Sequence, residues 1–363
     1  MYLYKNTNAL GAMWRPLGEP AVVAAVFTPA EKLSVQNLMD AEVHNENALT
    51  DKVFFGRHPS RKGATLAMSE RVEWIQIRDQ LVRVMLSGVS KAINFRPCCL
   101  LGPDPAPFLD PTNLGQHKTP TEKLGILYTG RAGFVDLGHL RETCDLTEFV
   151  WTRLQGAGGA VGTVIPTIHG AATIKKEVPR TRFVGIAQAI ANDDALGHEV
   201  VSYDKHTLGN HHSAFSPEDL CSNFLGTLVA RMAISTGGIF SRKVDVALTK
   251  VLKDLGVQTA AESQKAFDKI KTKWVNFIDS QSFMNDDYLR RRNFTRNPFK
   301  AGHPSDAATP GWVLTSLADA ETFYDYKHTL GVVTPILKTD FPAKIALIRV
   351  DAKARYGNDF DKP

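Results

Sequence analysis

The sequence predicts an α+β fold, mostly helical with a small antiparallel sheet, and three observations carry that prediction. Apolar residues recur at helical spacing through several long segments. Between those segments lie short apolar runs bounded by turn residues, the signature of strands. At 363 residues, 43% hydrophobic and 22% charged, the chain also has the balance of a globular protein able to bury a sizeable core.

The first 65 residues are mixed and close on the polar run Phe55 to Gly63, which reads as a loop. Val72, Ile75, Leu81, Val82, Met85, Leu86 and Val89 then keep helical spacing, and Ser69 followed by Glu70 and Glu73 suits a helix start. A helix is therefore expected over 69–93, ending before Arg96-Pro97. Residues 1–95 read as an N-terminal helical region and 96–363 as the main α+β domain, although one single domain is equally compatible. Pro97, Pro103, Pro105, Pro107, Pro111 and Pro120 exclude regular structure from most of 96–121. So long a loop is ordinarily functional, and it is expected to wrap the site with Cys98-Cys99 tucked into a core, a linker being the alternative.

Leu146 to Leu154 reads as a helix, with Asp145 and Glu148 as its capping box and Gly156 to Gly159 as its end. Thr163 to Pro166 and Ala172 to Ile174 read as strands. Phe183 to Ile190 and Leu196 to Tyr203 read as a hairpin across Asn192-Asp193-Asp194-Ala195, with a short helix over 181–191 as the alternative. Ser216-Pro217-Glu218-Asp219 opens a helix, with serine as N-cap, proline at the first helical position and acids in the first turn. Further helices are expected near 243–254, 261–278 and 314–324, followed by a closing strand from Lys344 to Val350.

No run of 18 apolar residues exists, which argues against a membrane-spanning helix. The first residues lack the basic start and apolar stretch of a secretory signal, so synthesis in the cytoplasm and delivery to the periplasm or a target cell by a non-Sec route is expected. Four cysteines at irregular spacing, without a CxxC pair, point to reduced thiols. The net charge of +5 favours acidic partners. Its densest cluster is Arg290-Arg291-Arg292 with Arg296 and Lys300, interleaved with Phe294 and Phe299. This reads as a patch for nucleic acid, phospholipid or an anionic cell-wall polymer, or more plainly as a solvated helix end.

Chemistry concentrates in Leu127 to Asp145, which packs Arg131, Asp136, His139, Arg141, Glu142 and Asp145 into glycine-rich apolar sequence. If 134–144 is helical, Asp136 and His139 lie one turn apart and both reach one ion or one water. If it is a strand, they point to opposite faces. The plainer reading is a satisfied histidine within a network of arginine–carboxylate pairs, and Asp145 leans that way. A second window holds His198, Glu199, Asp204, His206, His211 and His212, residue types that suit zinc, though without a sharp ligand motif. Glu199 stands out there because an acid in an apolar run is costly unless it is used. Cys221 sits in the first turns of a helix whose dipole would favour a thiolate, but it faces the apolar side and reads as a buried structural thiol. Gly130, Gly133 and Gly138 lack dinucleotide-binding spacing, so no nucleotide cofactor is expected; nucleic acid is not an expected partner either.

Three segments together carry a resemblance: Arg96 to Cys99, Leu127 to Asp145, and Ser213 to Gly226. They are similar to the uncharacterised bacterial family known as domain of unknown function 4056, over about residues 94–240. The resemblance implies weight on Cys98, Cys99, Arg131, Asp136, His139, Arg141, Asp145, Glu199, Ser216, Glu218, Asp219 and Asn223. Members typically carry tyrosine at the position of Cys221, which speaks against an obligatory nucleophile there. Many members look like exported envelope proteins.

These readings lead to an expected hydrolase of a bacterial envelope component, peptidoglycan ahead of phospholipid, in the manner of a secreted antibacterial toxin or effector. Asp136, His139 and Glu199 are the expected ligands of a divalent ion, zinc favoured, with Glu199 as general acid or base and Arg131, Arg141 and Glu218 completing the site. The expected partners are an anionic envelope polymer or lipid, with a secretion apparatus or an immunity protein beside it. The rivals are a Cys–His hydrolase using Cys221 or Cys98, a glycosidase-type cleavage using Glu199 with Glu218 or Asp219, and a non-enzymatic binding or delivery protein.

Overall fold

A computed structural model describes residues 108–117, 125–203, 214–274, 289–299, 317–330, 332 and 334–362. The expected helical region 1–95, the helix over 69–93 and Cys98-Cys99 lie outside them. The described part of the proline-rich segment, 108–117, holds a single 3-10 turn at Pro111–Asn113 and no longer element.

Among the described residues the fold is α+β, with seven helices and two small antiparallel sheets. The first sheet is a hairpin of β1 (Ile126–Thr129) and β2 (Gly133–Asp136), in register from Ile126 opposite Asp136 to Thr129 opposite Gly133. Gly133 takes φ 69°, the left-handed residue that closes a three-residue hairpin loop. All eight strand residues are buried, and the sequence shows no polar alternation there because both faces are covered. Tyr128 and Phe134 pack on Phe267, Ile270 and Trp274.

β2 runs straight into α1 (Leu137–Gly156), so this helix starts nine residues before the expected Leu146. Asp145 is an interior helical residue and not a cap, because Asp136 already supplies the capping oxygen. The expected hairpin over 183–203 is instead one helix, α2 (Phe183–Tyr203). Asn192-Asp193-Asp194 has turn-like composition, yet its polar atoms are satisfied within the helix and by the second sheet. Asn192 donates to Gln188 O at 2.8 Å, while Tyr324 donates to Asp193 at 2.5 Å and Tyr326 to Asp194 at 2.8 Å.

The second sheet has the order β3 (Val164–Pro166), β4 (Gly170–Ile174), β5 (Tyr324–His328), β6 (Ile336–Leu337), with every pair antiparallel. β5 alternates buried and exposed residues and puts Tyr324, Tyr326 and His328 against α2. It occupies the end of the expected helix 314–324, of which only the short α6 (Ala318–Glu321) is helical among the described residues. α3 (Asp219–Thr236) begins three residues after Ser216, with Glu218 and not Ser216 in the cap position, while α4 (Phe240–Asp254) and α5 (Ala260–Trp274) fall where helical spacing put them. Lys344 to Val350 is not a closing strand but part of α7 (Phe341–Tyr356). Its β-branched run is overridden by Pro342 in the first turn, Lys353 and Arg355 in the last, and Gly357 at φ 83° beyond the end.

α1, α2 and α3 pack on one another, and α1 against α3 is the most extensive of these contacts. At Gly226 a Cβ would stand 2.1 Å from Leu140 O and 2.2 Å from Thr143 Oγ1, so only glycine permits the approach. Gly226→Ala is expected to lower the melting temperature, at a cost of about 1–3 kcal/mol or more from overpacking. Gly185→Ala, where a Cβ meets nothing within 4 Å, should be neutral or stabilising by up to about 1 kcal/mol. Equal melting of the two variants would contradict this account of the contact.

Candidate functional site

The site grows from the junction of β2 and α1. Asp136 ends the strand and caps the helix, its Oδ1 accepting from Gly138 N at 2.6 Å and from His139 N at 3.3 Å. Ser222 of α3 accepts from Asp136 N at 2.9 Å and donates to Glu218 O at 2.6 Å, which ties the start of α1 to the start of α3. That tie brings His139 against Asp219. His139 Nδ1 lies 3.1 Å from Asp219 Oδ1, with the carboxylate side chain 2% exposed and the imidazole 19% exposed. The contact is short enough for an ion pair, although its angle is poor for a linear hydrogen bond.

Further buried acids surround this pair. Glu218 accepts from Ser216 Oγ at 2.6 Å, and Asp219 Oδ2 accepts from Ser216 N at 3.1 Å. Glu199 of α2 accepts from Phe215 N at 2.5 Å. Phe215 is buried at φ 58°, a strained conformation for a bulky residue, held at the loop that delivers Ser216. Burial, and then the negative charge of Glu199, push the Asp219 carboxyl well above the usual carboxylate range, while His139 pulls the other way.

The family described as "Protein of unknown function (DUF4056)" matches residues 112–300, more than half of the chain. The chain belongs to this family. No curated protein and no solved structure matches it.

This DUF4056 chain gathers some of the expected residues and separates others. His139, Glu199, Glu218 and Asp219 meet through α1, α2 and α3, with Asp136 directly behind His139. Arg131 does not join them: it lies in the β1–β2 turn, at the far end of β2 from Asp136. Arg141 points away too, because two residues along a helix turn the side chain through about 200°. It is buried, with Nη1 3.4 Å from Asp245 of α4 and Nη2 3.4 Å from Gly115 O. Asp145, on the same face, pairs with His117 at 2.7 Å. Arg141 and Asp145 therefore belong to a buried network that clamps 115–117 and α4 to α1. Cys221 is buried, and burial pushes its thiol up to about 12, which removes the thiolate a nucleophile needs.

The expected metal ligands do not fit a metal centre. Among the described residues no group of three or more His, Cys, Asp and Glu side chains could hold an ion. Asp136 turns to the helix N–H groups, His139 to Asp219, and Glu199 to Phe215 N. Asp204, His206, His211 and His212 lie outside the described residues.

The basic cluster is also not one surface. Arg292 is buried between the rings of Tyr203 at 5.0 Å and Tyr356 at 5.4 Å, and its Nη1 donates to Ala214 O. Phe294 and Phe299 are buried in two separate cores, Arg296 reaches Glu321 at 3.5 Å, and Lys300 lies outside the described residues.

Sequence reasoning missed a second histidine–aspartate pair. His169 Nδ1 lies 2.8 Å from Asp194 Oδ2, and the His169 ring stacks on His198 with centroids 4.4 Å apart. His328 stacks beyond it, with centroids 5.9 Å from His169. The available signal was His169 between two apolar strand-like runs, but its partners are supplied by a helix that was read as a turn.

Asp219→Asn tests the electrostatics. Because the folded-state pKa of Asp219 is raised, ionising it costs stability as pH rises through that value, and asparagine cannot ionise. Melting measured from about pH 4 to about pH 8 should show the difference between the variant and the wild type moving in the variant's favour as pH rises. A constant difference would show that the fold does not strain this carboxyl.

Proposed function

We propose that this protein is a hydrolase whose general base is His139, held by Asp219, and that it cleaves a component of the bacterial cell envelope, peptidoglycan ahead of phospholipid. The observation that carries the reading is the 3.1 Å contact between a buried carboxylate and a partly exposed imidazole. Asp219 stands beside Nδ1 as an ion-pair partner, which leaves proton exchange with a bound water to Nε2, the division of labour of histidine–aspartate pairs in hydrolases. When the imidazole takes that proton, Asp219 beside it stabilises the cation. Glu199 and Glu218 act through the loop and helix start they brace, at Phe215 and Ser216, and hold the pair in place.

The envelope substrate is supported by the resemblance to exported envelope proteins and by the net charge of +5, which draws the protein to anionic polymers. Delivery to the periplasm or to a target cell, in the manner of an antibacterial effector, belongs to the same proposal.

The test is release of soluble fragments from purified peptidoglycan sacculi, with anionic phospholipid vesicles as the second substrate. His139→Ala should reduce turnover by about 100-fold or more while melting close to the wild type, and Cys221→Ser should retain most activity. A wild-type protein inert on both substrates, or a folded His139→Ala variant of undiminished rate, would overturn the proposal. Loss of activity in a folded Cys221→Ser variant would shift the chemistry to the thiol.

A further inference from the structure

The surface at the end of α1 remote from His139 has a composition that a water-facing loop does not need. Residues 156–162 read Gly-Ala-Gly-Gly-Ala-Val-Gly, without one polar side chain. Yet Gly159 is the only one of them that is buried, and Val161 is 61% exposed. Val164, at the start of β3, is also 61% exposed. Single exposed apolar residues are ordinary, whereas an apolar loop carrying two β-branched side chains into solvent marks a surface that meets something.

The loop is also held in place. The N–H groups of Ala157, Gly158 and Gly159 close the end of α1 on the carbonyls of Arg153, Gln155 and Leu154, and Gly162 N donates to Ile174 O at 2.8 Å. Gly159 O accepts from Val178 N at 3.0 Å, and a Cβ at Gly159 would stand 2.5 Å from Val178 O, so the loop lies close against the segment that follows β4. With these amides taken up inside the protein, the backbone meets an apolar medium at little cost.

That neighbouring segment is basic. Lys175, Lys176, Arg180 and Arg182 are all exposed, as is Arg153 in the last turn of α1. Lys175 is tied to Asp325 at 2.7 Å, which leaves Arg153, Lys176, Arg180 and Arg182 to outnumber Glu177. Arg153 and Lys176 touch the rings of Phe149 and Phe323 at 5.0 and 5.8 Å, contacts that do not neutralise them. We propose that the 156–164 loop and the 175–182 segment form a docking face for an anionic phospholipid bilayer, with Val161 and Val164 entering the hydrocarbon boundary and the cations resting on the headgroup phosphates.

Charge and apolarity together choose the partner. An anionic leaflet supplies both phosphates for the cations and a hydrocarbon phase for the valines. An anionic polymer of sugar and peptide supplies only the first. Strand addition by a partner peptide has little to grip, since β3 is a three-residue edge ending in Pro166, which has no N–H to donate. His139 sits near the other end of α1, about 25 Å away along the helix axis. Docking here leaves that pair uncovered, and the inference does not rest on the hydrolase reading.

The test is cosedimentation of the full chain with vesicles of mixed phosphatidylglycerol and phosphatidylcholine, against vesicles of phosphatidylcholine alone. Binding to the anionic vesicles should weaken as salt rises, and binding to the neutral ones should be about 20-fold weaker or more. Changing Lys176, Arg180 and Arg182 together to glutamine should weaken anionic binding by about 20-fold or more, and Val161→Ser with Val164→Ser by about five-fold or more. All these side chains are exposed, so both variants should melt close to the wild type. On vesicles of brominated lipid, Val161→Trp should lose more fluorescence than the wild type, whose five tryptophans set the background. A wild type that does not pellet with anionic vesicles, a folded charge variant that binds undiminished, or a bound Val161→Trp protein quenched no more than the wild type overturns the docking face. Pelleting with sacculi but not with vesicles also overturns it and gives the surface to a polymer. None of these readings uses turnover, so a protein that hydrolyses sacculi without binding vesicles loses the docking face and keeps the hydrolase, and one that binds vesicles but hydrolyses nothing does the reverse.

Discussion

Everything at the candidate site depends on how closely α1 and α3 approach. Gly226 lets the helices meet backbone to side chain, and Thr143 Oγ1 donates across the contact to Asn223 O at 2.8 Å. Ser222 bonds Asp136 N one turn further along. With the helices locked at these two levels, His139 and Asp219 have no freedom to separate. An imidazole that would otherwise swing in solvent is held on a buried acid. Preorganisation of this kind is where a protein gains most over the same groups in water.

Burying so many acids is costly, and the fold offsets the cost locally. Asp136 caps a helix, Glu218 takes a serine hydroxyl, Glu199 takes the amide of a strained residue, and Asp194 takes four donors. Asp219 is the member left under strain, its carboxyl pushed upward by burial and by Glu199. A carboxyl raised by burial and by a neighbouring acid marks a place kept for chemistry more than for stability.

Much of this was legible in the sequence where the chemistry is local. His139, Asp136 and Arg141 cluster within one segment, Ser216 to Asp219 announces a helix start, and Glu199 stands out as an acid in an apolar run. What local sequence does not carry is direction and distance. Arg141 and His139 look equivalent until the helix turns them to opposite faces, one onto Asp245 and the other onto Asp219. His169 and Asp194 were invisible because Asn192-Asp193-Asp194 has the composition of a turn. The tyrosines of β5, more than 100 residues away, join Thr167, His169 and Lys338 in making those acids tolerable inside a helix. His328 enters through strand register, opposite Gly170, which no motif records. In α7 the β-branched run pointed to a strand, and the caps at both ends decided otherwise.

The central claim is that His139 and Asp219 act as one unit. A double-mutant cycle on stability, using His139→Gln, Asp219→Asn and the combined variant at neutral pH, measures this directly. The account predicts a coupling energy of about 1–3 kcal/mol between the two changes. Additive effects within about 0.5 kcal/mol would mean that the two side chains are neighbours without being partners, and would contradict it.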